Sequence, residues 1–460
     1  MREKPEARPP PTNWYNCATT TGGIPMSNAQ RRHFMLGLAA TAAASGCTTA
    51  QPKHGVATAT PMLPPMPAAA TLATDAGYWS AVRALYDVTP DIVNLENGYW
   101  GVMIEPVRRQ YLANTDMVNR DNSFYARTGF GRDMEPTRAA VAAAVGCAPD
   151  EIAFTRGATE ALQLLIAGYN KLKAGDSVLY ADLDYDSMQY AMNWLKDRRG
   201  VDVVRFAIPE PATREAVLQT YRNVLQANPK AKLLLLTHLS HRTGLVIPVA
   251  EISAMARARG VDVIVDAAHS WGQMDFKVGE LGADFVGFNL HKWIGAPLGV
   301  GFLYIRKGRL ADIDRALADE DWPATDIRSR THTGTYNFAA FLTVLPALQW
   351  HQQIGAQAKQ ARLRHLRDRW VGRARGFKGL EILTPDEPGM AAGITSFRLA
   401  GKTSAADNNA IVAALRDQHG IFTVRRGGVA RGQCVRVSPA LYTSEADMDR
   451  LVRALAAITA

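Results

Sequence analysis

Six short apolar runs, four to eight residues each, recur between residues 151 and 289 and are separated by stretches with helical periodicity. They read EIAF at 151–154, SVLYA at 177–181, VDVVRFA at 201–207, AKLLLLTH at 231–238, VDVIVDAA at 261–268 and ADFVGFN at 283–289. Near-continuous apolar character suits strands buried on both faces. Between them, ATEALQLLIAGYNKL at 158–172 and PVAEISAMARARG at 248–260 have helical spacing. The alternation predicts an α/β fold, a mostly parallel sheet flanked by helices. Such sheets bind ligands at the carboxyl ends of their strands, so the residues just after each run are the candidates for function.

Three strand ends carry chemistry. In FTRGATEALQLL, Gly157 permits a tight turn, and Ala158 and Thr159 open a helix whose free N–H groups and dipole suit a phosphate. The same pattern also describes a plain helix cap. In VDVIVDAAHSWGQ, Asp266 closes a buried strand, where a carboxylate needs a partner to offset desolvation, and His269 follows. In FVGFNLHKWIGAPLGVGFLYI, residues 285–305, two buried strands flank a Gly/Pro turn that carries Lys292. A lysine there is either solvated or chemically used; when desolvated it becomes an amine nucleophile toward an aldehyde. A phosphate cradle, a buried aspartate and a buried lysine in this order point to pyridoxal 5'-phosphate, which needs a helix N-terminus, an acidic partner for its pyridine nitrogen and a lysine for its aldehyde.

VDAAHSWGQ, LGADFVGFNLHKWIGAPLGVGFLYI, SHRTGLVIPVAEI and VRVSPALYTSEADMDRLVRAL resemble the class V aminotransferase family of fold-type I pyridoxal-phosphate enzymes, over residues 90–460. NLHKW followed by P.G.GFLY is most similar to the isopenicillin N epimerase-like branch. The resemblance implies that Lys292 bonds the cofactor's aldehyde and Asp266 faces its ring nitrogen. It places Gly157, Ala158, Thr159, Asn289 and His291 at the phosphate and Tyr185 on the ring. His269 and His241 fall near the phenolic oxygen. Arg436 grips a substrate carboxylate, for which its guanidinium fork is suited. THTGTYNF at 331–338 resembles a stretch that crosses a dimer interface, so Thr335 is expected at the other subunit's phosphate and a homodimer with shared active sites follows. Many relatives have Arg where Tyr336 stands. Cysteine desulfurases of the family carry a nucleophilic cysteine on a long mobile loop. Here Cys434 lies two residues from Arg436 on the same strand face and reads as structural.

The net charge of +9 raises nucleic acid as a partner. Residues 1–46 hold five basic residues against two acidic ones, and elsewhere the signs mix. The basic run ARLRHLRDRW at 361–370 reads as a solvated helix face, and no nucleic-acid role is expected. QRRHFMLGLAATAAASGC resembles a twin-arginine export signal built on Arg31 and Arg32, with Met26 as a natural start and Cys47 as a possible lipidation site. The expected location is the periplasm, with or without a lipid anchor. Four cysteines show no metal spacing and nothing pairs Cys147 with Cys434. The expected organisation is an export signal at 1–46, a Pro/Ala-rich linker at 47–75, a large cofactor domain at 76–345 and a smaller α+β domain at 346–460. The expected reaction is at the Cα of an amino acid or amino-acid-containing metabolite, by epimerisation or transamination. A lyase or oxidative step on a peptide or siderophore side chain, or a non-catalytic scaffold, are the alternatives.

Overall fold

All six apolar runs form strands of one sheet. After a short β1 (Val93–Asn94), they are β2 (Ile152–Thr155), β3 (Ser177–Ala181), β4 (Asp202–Phe206), β5 (Ala231–Thr237), β6 (Asp262–Asp266) and β7 (Phe285–Asn289). The second half of the lysine-bearing stretch is β8 (Gly301–Ile305). The seven strands β2 to β8 lie in the order β2-β8-β7-β6-β5-β3-β4. Strands β4, β3, β5, β6 and β7 are parallel. Strand β8 runs antiparallel to both neighbours, because the eleven residues 290–300 between β7 and β8 are too few for a helical crossover. The structure is a computed structural model that describes residues 62–460; the paired arginines, Met26 and Cys47 lie outside the described residues.

Alternation along β5 shows why these strands are apolar throughout. Leu233 and Leu235 enter one core while Leu234 and Leu236 enter the core on the opposite face. The helix Ala158–Gly168 packs on one face so closely that a Cβ at Gly287 would stand 2.6 Å from Leu162. Strand order reverses between β3 and β5, which opens a crevice at their carboxyl ends.

The C-terminal part adds β9 (Leu380–Ile382), β10 (Thr395–Leu399), β11 (Ile421–Phe422), β12 (Val424–Arg426) and β13 (Cys434–Val437). Four of these make an antiparallel sheet, β12-β13-β10-β9, and β11 pairs in parallel with β1. A separate core of Trp370, Leu415, Phe397 and Leu451 joins this sheet to its helices. Ser404 and Ser444 each start a helix with a capping box closed by Asp407 and Asp447.

The basic run at 361–370 departs from expectation. It lies in the helix Ala356–Ala374, but Arg362 and Arg367 are buried. Arg367 donates to Thr395 and Thr384, and Arg362 and Arg369 pair with Glu445 on the last helix. The charges pin two helices and a strand together, where periodicity alone indicated a solvated face. Among the described residues no helix is long and apolar enough to cross a membrane.

Candidate active site

Strand ends gather the site. Asp266 ends β6 directly beside Thr237 at the end of β5, and Asn289 ends β7. Asn289 accepts from the Ala158 N–H at 2.7 Å, which ties β7 to the start of the helix that Gly157 introduces. A Cβ at Gly157 would stand 3.2 Å from both Asn289 Oδ1 and the His291 ring, so glycine keeps a concave rim there. His291 Nδ1 bonds the Val300 carbonyl at 3.0 Å, which assigns the proton to Nδ1.

These groups face one cavity of about 460 Å³. Gly157, Ala158, Thr159, Tyr185, His241, Asp266, His269, Asn289, His291, Lys292 and Arg436 all line it. Thr335 does not: it is exposed on the loop before the helix Phe338–Leu342. Tyr336 packs against Phe130, Phe338 and Phe341.

Electrostatics separates the roles. Desolvation pulls the Lys292 ammonium down to about 7, against the opposing pull of Asp266. Lys292 Nζ lies 2.9 Å from His269 Nε2. Burial first, then the charge of Lys292, holds His269 neutral, and burial does the same for His241. The two imidazoles lie nearly parallel, 6.5 Å apart, and Tyr185 meets His241 edge-on at 5.1 Å. Burial raises the Asp266 carboxyl, which accepts one hydrogen bond, from the Ala268 N–H at 2.9 Å. The Nδ1 atoms of His241 and His269 are buried without partners.

Several participants escaped sequence reasoning. The segment 94–101, NLENGYWG, crosses the mouth of the site. Gly101 N–H donates to the His291 carbonyl at 2.9 Å, and a Cβ at Gly101 would fall 1.8 Å from the Lys292 carbonyl oxygen. Gly98 and Tyr99 line the cavity, and Glu96 pairs with Arg436. Two glycines spaced by aromatics just before a proline-capped helix were the available signal. Arg426 lines the cavity as well. Asp184, beneath Tyr185, accepts from both the backbone and the hydroxyl of Thr237 at 2.9 and 2.6 Å and so braces the strand end beside Asp266. Cys434 is buried and its thiol sits by the Arg242 and Arg426 carbonyls, with burial raising it to about 11.

The aminotransferase class-V family model matches residues 102–451, most of the chain. This chain belongs to the class-V aminotransferase family. It is 27% identical to the isopenicillin N epimerase of Streptomyces clavuligerus over 404 residues, which cover 83% of this chain and 98% of that protein. Among solved structures, the apo cysteine desulfurase of Thermococcus onnurineus NA1 superposes with a TM-score of 0.69 at 20% identity, covering 83% of this chain and 98% of that one. The protein C-DES, solved with glycine covalently linked to its PLP cofactor, gives a TM-score of 0.69 at 22% identity over 80% of this chain and 97% of its own. At these identities the solved structures speak for the fold alone, the fold-type I arrangement of pyridoxal-phosphate enzymes.

The family is pyridoxal-phosphate dependent, and this cavity fits the cofactor. A concave glycine rim at a helix N-terminus suits its phosphate. A buried carboxylate with a single partner suits its ring nitrogen, and a lysine shifted toward the free amine suits its aldehyde.

Proposed function

We propose that this chain acts on the Cα of an amino acid or of a metabolite that contains one, as an epimerase or aminotransferase. The observation that carries this reading is Lys292, poised as an amine beside neutral His269 and within the same cavity as Asp266. The bound cofactor supplies a sink for the electrons of a Cα bond. Asp266 would keep the ring nitrogen protonated, and Gly157, Ala158, Thr159, Asn289 and His291 would hold the phosphate. Lys292 would move the Cα proton, with His269 hydrogen-bonded to it. Epimerisation needs a second acid/base group, for which Tyr185 against His241 is available at the cavity wall. The epimerase similarity over 98% of that relative's length supports this outcome over transamination.

Persulfide chemistry on an enzyme cysteine is disfavoured. Cys434 is buried off the cavity, and Cys147, the other described cysteine, lies outside it too. An exported homodimer completes the reading: Thr335 is exposed and away from its own chain's cavity, as a residue serving the other copy would be.

The test is colour. Purified protein that absorbs in the visible, bleaches with borohydride and yields a reduced adduct mapped to Lys292 supports the assignment; an adduct on another lysine overturns it. Protein that takes up no cofactor would indicate a scaffold. Solvent deuterium entering Cα of an added amino acid distinguishes Cα chemistry from other outcomes. For the assembly, light scattering that gives a single-chain mass would refute the dimer. Changing Arg31 and Arg32 to Lys should leave the protein in the cytoplasm, and Cys47→Ser should free it from membranes. Periplasmic delivery of the double variant would refute the export route.

A further inference from the structure

Arg436, matched to the grip on a substrate carboxylate, already holds a carboxylate of its own chain. Glu96 meets Arg436 Nη2 with both oxygens, at 2.6 and 2.7 Å, while Nη1 donates to the His241 carbonyl at 2.8 Å. The Arg436 side chain is 1% exposed and that of Glu96 8%. Glu96 also accepts from Arg426 Nη2 at 3.1 Å. Arg426 and Arg436 share one face of the β12–β13 ladder, where Arg426 opposes Cys434 and Arg436 opposes Val424. Two guanidiniums therefore converge on one carboxylate, and the Nε of each is buried without a partner. The cluster has two guanidiniums against one carboxylate, an excess of positive charge that suits a second anion.

The parts differ in freedom. Arg436 is clamped by the His241 carbonyl and lies flush on Gly98, whose Cβ would come 2.5 Å from Nη2. The backbone around Glu96 is pinned too, since Ser438 N–H donates to Leu95 and Asn97 N–H donates to Ser438. The Glu96 side chain is the movable element, and Arg426, 28% exposed, is within its reach.

We propose that Glu96 is an internal stand-in for the substrate's carboxylate, and that an incoming carboxylate takes the Arg436 fork while Glu96 is handed over to Arg426. This rests on the reading that the substrate is an amino acid or contains one. An anion arriving without the handover would meet Glu96 at close range, and like charges in a dry site repel. With it, two carboxylates face two guanidiniums and the cluster is neutral. An amine without a carboxylate leaves the Glu96–Arg436 pair closed. Glu96 and Arg426 thus set how strongly the site prefers one class over the other.

The two residues should shift that preference in opposite directions. In the holoenzyme, the cofactor's absorbance is titrated with L-alanine and with ethylamine, its decarboxylated analogue, and acetate binding is measured by calorimetry. Glu96→Gln should tighten L-alanine and acetate by about tenfold or more, the size expected for one charge-assisted contact, and leave ethylamine near wild type. Arg426→Gln should weaken L-alanine and acetate by a similar factor. Weaker carboxylate binding in Glu96→Gln, or equal changes for L-alanine and ethylamine in either variant, overturns the handover. If Glu96→Gln does not fold, Glu96→Asp, which withdraws the carboxylate by one methylene, should show the same sign at smaller size. Wild-type absorbance that answers neither amine counts against the proposed function, whereas acetate binding decides the handover separately.

Discussion

Lys292 Nζ and His269 Nε2 face each other across 2.9 Å, the imidazole buried and the lysine partly so. Burial holds the imidazole neutral, and one hydrogen bond joins it to the lysine. Desolvation, joined by the charges of Arg436 and Arg426, turns an ordinary ammonium into a group that titrates near neutrality.

Cofactor loading should therefore follow Lys292. Below about 7 the lysine is an ammonium and cannot attack the aldehyde; above it the amine predominates. Uptake of pyridoxal phosphate by the apo-protein should rise about tenfold per pH unit below that point and level off above it. A rate still climbing at pH 9 would indicate a solvated lysine. The apo-protein should respond as well. Lys292 and Lys359 are both lowered from 10.5 to about 7, so between these values the unfolded chain binds more protons. Stability then rises with pH across that window and is lost as pH falls toward 7, which denaturant melts would show.

Asp266→Asn should keep the borohydride-reducible Lys292 adduct but lower solvent exchange at Cα by on the order of a hundredfold, because a neutral amide cannot hold the ring nitrogen charged. The apo form should not lose stability. Burial already opposes the Asp266 charge, and the carboxylate accepts only the Ala268 N–H. Exchange at the wild-type rate would remove Asp266 from the mechanism.

Gly101→Ala tests the segment that crosses the site. Its Cβ would overlap the Lys292 carbonyl, so the lysine turn must shift. The expected cost is about 1–3 kcal/mol in melting experiments together with weaker cofactor retention. Gly131→Ala is the control: a Cβ there meets nothing within 4 Å, and in a helix it should stabilise by up to about 1 kcal/mol.

Cys434→Ser should leave Cα exchange intact. The thiol is fully buried and raised to about 11, so thiol reagents should not inactivate the folded enzyme. The cost should be confined to stability and stay within about 1 kcal/mol, read from melts, because a hydroxyl there can donate to the Arg242 carbonyl that the thiol meets. Loss of exchange without loss of stability would reinstate a chemical role.

The sheet was legible in the sequence because its inner parallel strands are buried on both faces and so are written as nearly continuous apolar runs, while the edge strand β4 is half-exposed and carries Asp202 and Arg205. Asp266 and Lys292 were legible for the complementary reason: an ionisable residue at the end of such a run has no local purpose. What remained hidden was contact between distant segments. Nothing local marks Glu96 as the partner of Arg436, 340 positions away, or Gly101 as the residue on which the Lys292 turn rests. Nor does helical periodicity reveal that Arg362 and Arg367 are buried, since a basic face reads as solvated until another element covers it. Local pattern determines which face of an element is apolar and where a strand stops. Which charge meets which, and hence which guanidinium is free for a ligand, is decided only when the chain closes and desolvation forces each buried group to find a partner.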